Sequence, residues 1–172
     1  EHRLIEKMLV IVKKELDVIA RTKVVNPVFI DTVVDFIRVY ADRTHHGKEE
    51  DILFKQLENK KMNADDTKMM QELVDEHVSS RKLVGELVEA NKKYAKGDLS
   101  AMKIITERLS FLIDFYPKHI AKEDLHFFPN TEKYFSKEEL ETMLDEFWEF
   151  DRKMIHEKYI KLYESLEKNY TW

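Results

Sequence analysis

The stretch HHGKEEDILF, residues 45–54, returns with small changes as HIAKEDLHFF at residues 119–128. Aligned, both read H-x-x-K-E-[E/D]-x-x-x-F. Each copy sets a histidine and a glutamate four positions apart, His45 with Glu49 and His119 with Glu123. On a helix that spacing stacks the two side chains on one face. Two such faces opposed across a bundle bring two carboxylates together. Buried carboxylates repel and are costly to desolvate, and cations between them remove the problem. Imidazole and carboxylate without thiolate suit iron, manganese or zinc. A metal pair about 3.5–4 Å apart is the natural occupant of a site with two bridging carboxylates.

The rest of the chain is built to carry helices. Its 172 residues suffice for one domain with a buried core. Hydrophobic residues make up 43% and charged residues 37%, and only three glycines and three prolines are available for turns. Few turns mean few, long elements. The absence of cysteine excludes disulfides, thiolate nucleophiles, iron–sulfur clusters and sulfur-built zinc sites, and it fits a reducing, cytoplasmic location. No run of about 18 apolar residues is present, so no membrane span is expected. No leader is visible, and the chain opens on Glu1 rather than Met, so upstream residues are expected. A net charge of −5 without a basic stripe argues against a nucleic-acid partner.

Local signals divide the chain into five helical segments. Segment A, up to about Ala20, places Leu4, Met8, Ile11, Val12, Leu16 and Ile19 at helical spacing. Asn26-Pro27 is an N-cap followed by a first-turn proline, and segment B runs from there to about Lys60 with Phe29, Val33, Phe36, Ile37 and Tyr40 on its stripe. Segment C spans about Asp65 to Lys96, with Gly97 as its C-cap. Asp98 or Ser100 caps segment D, which continues to about Phe128 and stops at Pro129. Ser136 with Glu139 forms a capping box that opens segment E, ending near Lys168. Short connections make sequential helices antiparallel neighbours. The expected fold is therefore all-α, an up-down-up-down four-helix bundle over about residues 1–128 with an additional C-terminal helix over about 137–168. Residues 1–172 are read as one domain.

Four histidines fall level in such a bundle. His2 and His45 lie 21 and 19 residues from the A–B turn, His45 and His77 lie 15 and 13 from the B–C turn, and His77 and His119 lie 20 and 21 from the C–D turn. Each pair differs by at most about 3 Å along the axis. A layer with one histidine from each helix is expected.

The motifs EHR at 1–3, HHGKEED at 45–51, EHVSSR at 76–81 and HIAKEDLHFFP at 119–129 together resemble the hemerythrin-like (HHE cation-binding) family. The resemblance implies a pair of non-heme iron ions, joined by an oxo or hydroxo bridge, inside a four-helix bundle. It further implies Glu49 and Glu123 as bridging carboxylates, His2 and His45 on one iron, and His77 and His119 on the other. Oxygen-carrying members have HxxxH in the third helix. Here the sequence reads His77-Val-Ser-Ser-Arg81, and arginine is no ligand at neutral pH. His46, about 100° around the helix from His45, is expected to fill that place.

The function so implied is binding or sensing of dioxygen, another small diatomic ligand, or iron. The alternatives are a di-iron oxidoreductase acting on oxygen, peroxide or nitric oxide, and iron storage. Glu50, Asp51 and Asp124 are expected outside the ligand set, although Asp124 has the spacing of the bridging aspartate in hemerythrins. His126, seven residues past His119, is expected to line the pocket or serve structure. Pro117 is expected to bend segment D, Tyr40 and Tyr116 to lie near the layer, Phe127 and Phe128 to be core, and His156 to be on the surface.

Overall fold

A computed structural model describes the backbone of residues 1–169 and the side chains of residues 1–154 and 158. His156 lies outside the residues whose side chains are described. Five helical rods account for nearly all of it. Helix α1 is His2–Thr22. Helix α2 covers 27–58, α-helical over Pro27–Phe36 and Lys55–Glu58, with π-helical turns over Ile37–His46 and Glu49–Phe54. Helix α3 is Ala64–Ala95. Helix α4 covers 101–131, α-helical over Ala101–Lys122, π-helical over Glu123–Phe127, and α-helical again over Phe128–Thr131. A 3-10 turn, Glu132–Tyr134, leads to helix α5, Lys137–Asn169. None of the described helices is long and apolar enough to cross a membrane.

The ends of these rods follow from side-chain chemistry. The Asn26 side chain accepts from Val28 N–H at 3.1 Å and Phe29 N–H at 3.3 Å, and Pro27 needs no donor there. Asn63 caps α3 by accepting from Asp66 N–H at 2.8 Å. Gly97, at φ +98°, ends α3 in a Schellman motif, with Asp98 N–H on the Lys93 carbonyl and Gly97 N–H on that of Tyr94. Asp98 turns the chain by accepting from Ser100 N–H at 3.0 Å and Ser100 Oγ–H at 2.6 Å. Ser136 and Glu139 exchange reciprocal bonds of 2.8 and 3.2 Å at the head of α5.

Helix α4 packs along α1 and α3, α2 packs along α3, and α5 lies against the π-helical part of α2. One large apolar core, from Ile5, Leu9 and Val12 to Ile105, Leu112 and Tyr116, fills the bundle on the side of the A–B and C–D turns. A smaller cluster of Phe54, Leu57, Leu73 and Phe127 closes the opposite end. The apolar stripe of α1 keeps Met8, Val12, Leu16 and Ile19 from the sequence expectation but takes in Ile5 and Leu9 in place of Leu4 and Ile11. Ile5, Leu9, Val12 and Ile19 are buried, whereas Leu4 and Ile11 are about half exposed. Several adjacent apolar residues in α1 make either stripe compatible with a helical period, and packing against α4 selects one. In α2 the buried residues are Ile30, Val33, Val34, Ile37 and Ala41, with Phe29, Phe36 and Tyr40 partly buried beside them.

Helix α4 runs through Pro129 rather than stopping there. The preceding turn is π-helical, with Phe128 N–H bonding the Glu123 carbonyl five residues back. Pro129 then falls in the first turn of a new α-helical register, where its missing N–H is tolerated. Pro117 is accommodated inside the helix.

Candidate metal centre

Between the two apolar clusters lies a polar layer. His2, His45, His46, Glu49, His77, His119 and Glu123 are all buried in it. The structure therefore brings together every residue that the sequence singled out for the site. Both copies of the repeated motif lie in or beside π-helical turns. In such turns the hydrogen bond spans five residues, which widens the turn. Gly47 N–H reaches the Asp42 carbonyl, and Thr44 Oγ–H donates to the Val39 carbonyl at 2.7 Å. Widening reduces the angle between successive side chains. Adjacent His45 and His46 can then both face inward, at 7% and 1% exposure.

The inward atoms fall into two groups joined by a third, Glu49 with His77 and Glu123, that overlaps both. His2 Nε2, His45 Nε2 and Glu123 Oε2 make the first: His2 and His45 approach at 2.8 Å, and Glu123 Oε2 lies 3.1 Å from His2 and 3.9 Å from His45. His46, His77 and His119 make the second, with Glu123 Oε1 3.0 Å from His119 Nε2 and 3.9 Å from His77 Nε2. Glu49 is divided likewise, Oε1 at 3.7 Å from His45 and Oε2 at 3.4 Å from His77. Each carboxylate thus directs one oxygen toward each group. That is the disposition of a bridging ligand.

A carboxylate behind each ring sets its orientation. His45 Nδ1–H donates to Glu1 at 3.0 Å, and His119 Nδ1–H donates to Glu76 at 2.7 Å. His2 Nδ1–H donates to Asp124 at 2.8 Å, and His77 Nδ1–H donates to Glu50 at 2.7 Å. With a proton held on Nδ1, each Nε2 is aimed at the centre and, once its own proton is displaced, offers its lone pair there. Cations back the carboxylates in matching pairs: Lys48 on Glu1 and Lys122 on Glu76, Arg3 on Asp124 and Arg81 on Glu50. This shell has an approximate twofold relation, α1 with α2 answering α3 with α4. Glu1 and Glu76 were not assigned from the sequence. Their signal was present, since each directly precedes a layer histidine in EHR and EHVSSR. Asp124, whose spacing admitted a bridging role, instead holds His2 from outside.

His126 is exposed and does not line the pocket. The π-helical turn between His119 and His126 means that seven residues no longer make two turns. Phe127 is fully buried, while Phe128 is half-buried and lies parallel to the His2 ring at 6.1 Å. Tyr116 is buried with its hydroxyl 3.3 Å from Ser80 Oγ, and burial pushes its pKa up to about 12. Tyr40 stacks on Phe36 and lies near the edge of the layer, where Glu1, Lys48 and Asp151 act on it. Arg81 joins Asp42 at 2.8 Å as well as Glu50.

Charge in the layer is strongly perturbed. Burial pushes Glu49 well above the usual carboxylate range, and neighbouring Glu123 adds to the effect. Burial also acts upward on Glu123, but the imidazoles of His119, His2, His45 and His77 that face it hold it low. For His45, burial is outweighed by Glu1, Glu123 and Glu49, and its pKa rises to about 10. Burial, with the neighbouring imidazoles, drops His46 to about 3 against the pull of Asp42, so it is neutral at pH 7.

The protein alone does not satisfy this layer. His46, Glu49, His77, His119 and Glu123 all have buried polar atoms without hydrogen-bond partners. Orphaned groups cost about 1–3 kcal/mol each. Five side chains therefore cost an amount comparable to a domain's net stability of about 5–15 kcal/mol. His2 Nε2 and His45 Nε2 also face each other at 2.8 Å, a contact that needs a proton between them when no cation is bound. That proton leaves the other five side chains unmet. Cations in both groups meet all of them, and the donor set fits.

The fold and the layer define a helical-bundle protein with buried His/Glu groups that could hold metal cations. A profile of the Hemerythrin HHE cation binding domain matches residues 1–131 and, in a second alignment, 68–164. The chain belongs to this family. Searches of curated proteins and of solved structures return no match.

Proposed function

We propose that the layer holds two non-heme iron ions, bridged by Glu49, Glu123 and an oxo or hydroxo oxygen, and that the centre binds or senses dioxygen or another small diatomic ligand. His2 and His45 hold the first iron; His46, His77 and His119 hold the second. Such a pair, when bound, supplies a redox-active centre with affinity for diatomic gases. The observation that carries the reading is the splitting of both carboxylates, one oxygen toward each histidine group.

The chain's own residues give the two positions different character. The second has five protein donors, three imidazoles and two carboxylate oxygens, and is sealed by Tyr116 and Phe54. The first has four, and His45 and Glu49 border a cavity. An incoming ligand therefore meets the first position. Apolar clusters above and below exclude water and strengthen the electrostatic hold on the ions.

The test is elemental analysis of protein purified without added metal, followed by optical spectra of the reduced protein under oxygen. Two irons per chain and a spectral change that reverses when oxygen is removed support the reading. Steady oxygen or peroxide consumption would make the protein a di-iron oxidoreductase instead. Two manganese or zinc ions, or no metal, would refute it.

A further inference from the structure

A cavity of about 520 Å³ lies between the middle of α2, the end of α4 and helix α5. That volume falls within the range of small-molecule pockets, about 300–1,000 Å³. Its walls are apolar: Leu53, Phe128 and Phe135 on one side, and Leu140, Met143 and Phe147 of α5 on the other. Its floor carries His45 and Glu49, with Glu1, Lys48 and Asp124 beside them.

The cavity is held open from both ends of its α5 wall. Glu139 takes Lys60 at 2.6 Å, Glu146 accepts from Gln56 at 2.8 Å, and Asp151 takes Lys48 at 2.8 Å. The Phe150 ring sits over Gly47, where a Cβ would come within 2.9 Å of it. With α5 pinned along this length, the wall cannot slide inward to fill the space.

The charged groups at the floor are already committed. Lys48 is shared by Glu1 and Asp151, Glu1 also accepts from His45, and Asp124 holds His2 and Arg3. No unpaired cation awaits an anionic ligand among the described lining residues, and an anion would meet Glu1, Glu49, Asp124 and Glu132. A cationic ligand would have to take carboxylates from Lys48, Arg3 and the histidines. A neutral molecule disturbs none of these pairs.

We propose that this cavity is a binding site for a neutral, largely apolar organic molecule, seated against α5 and bringing an oxygen atom toward the His45–Glu49 floor. The pocket itself depends only on the fold. The orientation of the oxygen rests on the reading of a metal at the first position. The ligand is larger than a diatomic gas, so the centre receives a second chemical input through α5.

The probe is the neutral fluorophore N-phenyl-1-naphthylamine, titrated into the intact chain loaded with zinc or with iron, metal content being measured on the same samples. Saturable binding of one probe per chain is expected, bright with zinc and quenched with iron. In the unaltered protein 1-octanol should displace it, and octanoate should be at least about tenfold weaker, equivalent to about 1.4 kcal/mol. Leu140→Trp, filling the space, and Leu140→Lys, charging the wall, should each weaken the probe at least about tenfold without changing metal content or helicity. Non-saturable binding, displacement equally by octanol and octanoate, or full affinity in both folded variants would overturn the proposal. Saturable binding in protein that takes up no metal would uphold the pocket and remove the metal reading. Two bound metals with no saturable probe binding would do the reverse. Equal brightness with zinc and iron would refute the placement beside the first cation.

Discussion

His46→Leu should stabilise the metal-free protein and weaken the metal-bound one. His46 is 1% exposed, and neither ring nitrogen has a hydrogen-bond partner. Burial and the surrounding imidazoles keep it neutral at pH 7, so the substitution removes no charge. Leucine of similar bulk removes an orphaned polar group, a gain of about 1–3 kcal/mol. Against this stands the stacked contact with His77, at 3.8 Å between ring centres and 11° between planes, worth about 0.5–1.5 kcal/mol. The net expectation without metal is about 1 kcal/mol of added stability. With metal the sign reverses. An ion at a hundredfold excess over its dissociation constant adds about 2.7 kcal/mol, and the second position loses one of three imidazoles. Urea unfolding in chelator and in excess metal reads both terms, with the slope checking that the exposed surface is unchanged. A variant that is less stable in chelator, and that still binds two ions with unaltered affinity, would show that His46 is a packing residue.

Three further expectations come from other parts of the structure. Glu76→Ala frees the His119 ring from its 2.7 Å partner and should weaken metal binding about 10–100-fold while leaving the stoichiometry intact; competition with a calibrated chelator measures it. Gly47→Ala sets a Cβ 2.9 Å from the Phe150 ring. Overpacking of about 1–3 kcal/mol, less about 0.5–1 kcal/mol from the helical preference of alanine, should give a net loss of about 1 kcal/mol, read by urea unfolding. The Asp66 carboxyl is held below the usual range by the Tyr134 hydroxyl, Lys133 and Asn63. With a folded-state pKa below the unfolded one, it stabilises above the usual carboxylate pKa and loses that contribution as pH falls through the folded value. Asp66→Asn should therefore lower stability at pH 7 and flatten its decline on acidification, as followed by chemical denaturation across pH.

Helix boundaries and the level of the site were legible because they depend on local chemistry and chain length. Asn26-Pro27, Gly97 and Ser136 with Glu139 each act through groups within a few residues, so their signals survive without tertiary information. Counting residues from each turn located the layer because every rod advances by nearly the same rise. What failed depended on register or on partners distant in the chain. Leu4 and Ile11 were placed inward although Ile5 and Leu9 are the buried pair, since periodicity alone cannot choose between neighbouring apolar stripes. The positions of His126 and Pro129 follow from a π-helical turn, which carries no composition signal of its own. The carboxylates behind the rings were half visible. Glu50 and Asp124 stood out within the repeat, whereas Glu1 and Glu76 lie outside it, each beside one layer histidine but bonded to another on a different helix.

On the di-iron reading, the repeat also explains why the two positions would be unequal. In the alignment of 45–54 with 119–128, His45 corresponds to His119, Glu49 to Glu123, and Lys48 to Lys122. The carboxylates and cations behind the rings obey the same relation across the bundle. The residue after each first histidine breaks it, with His46 in one copy and Ile120 in the other. Both are buried. His46 joins His77 and His119, whereas Ile120 gives no donor to His2 and His45 and packs into the apolar core. Helix α5 adds the second asymmetry, since it lies against α2 and builds its cavity beside His45 and Glu49. One position is therefore closed by an extra imidazole and the other left short of a donor beside the cavity. A symmetric shell fixes the ring orientations, and on the proposed di-iron reading one histidine-to-isoleucine difference would decide which ion is free to meet a ligand.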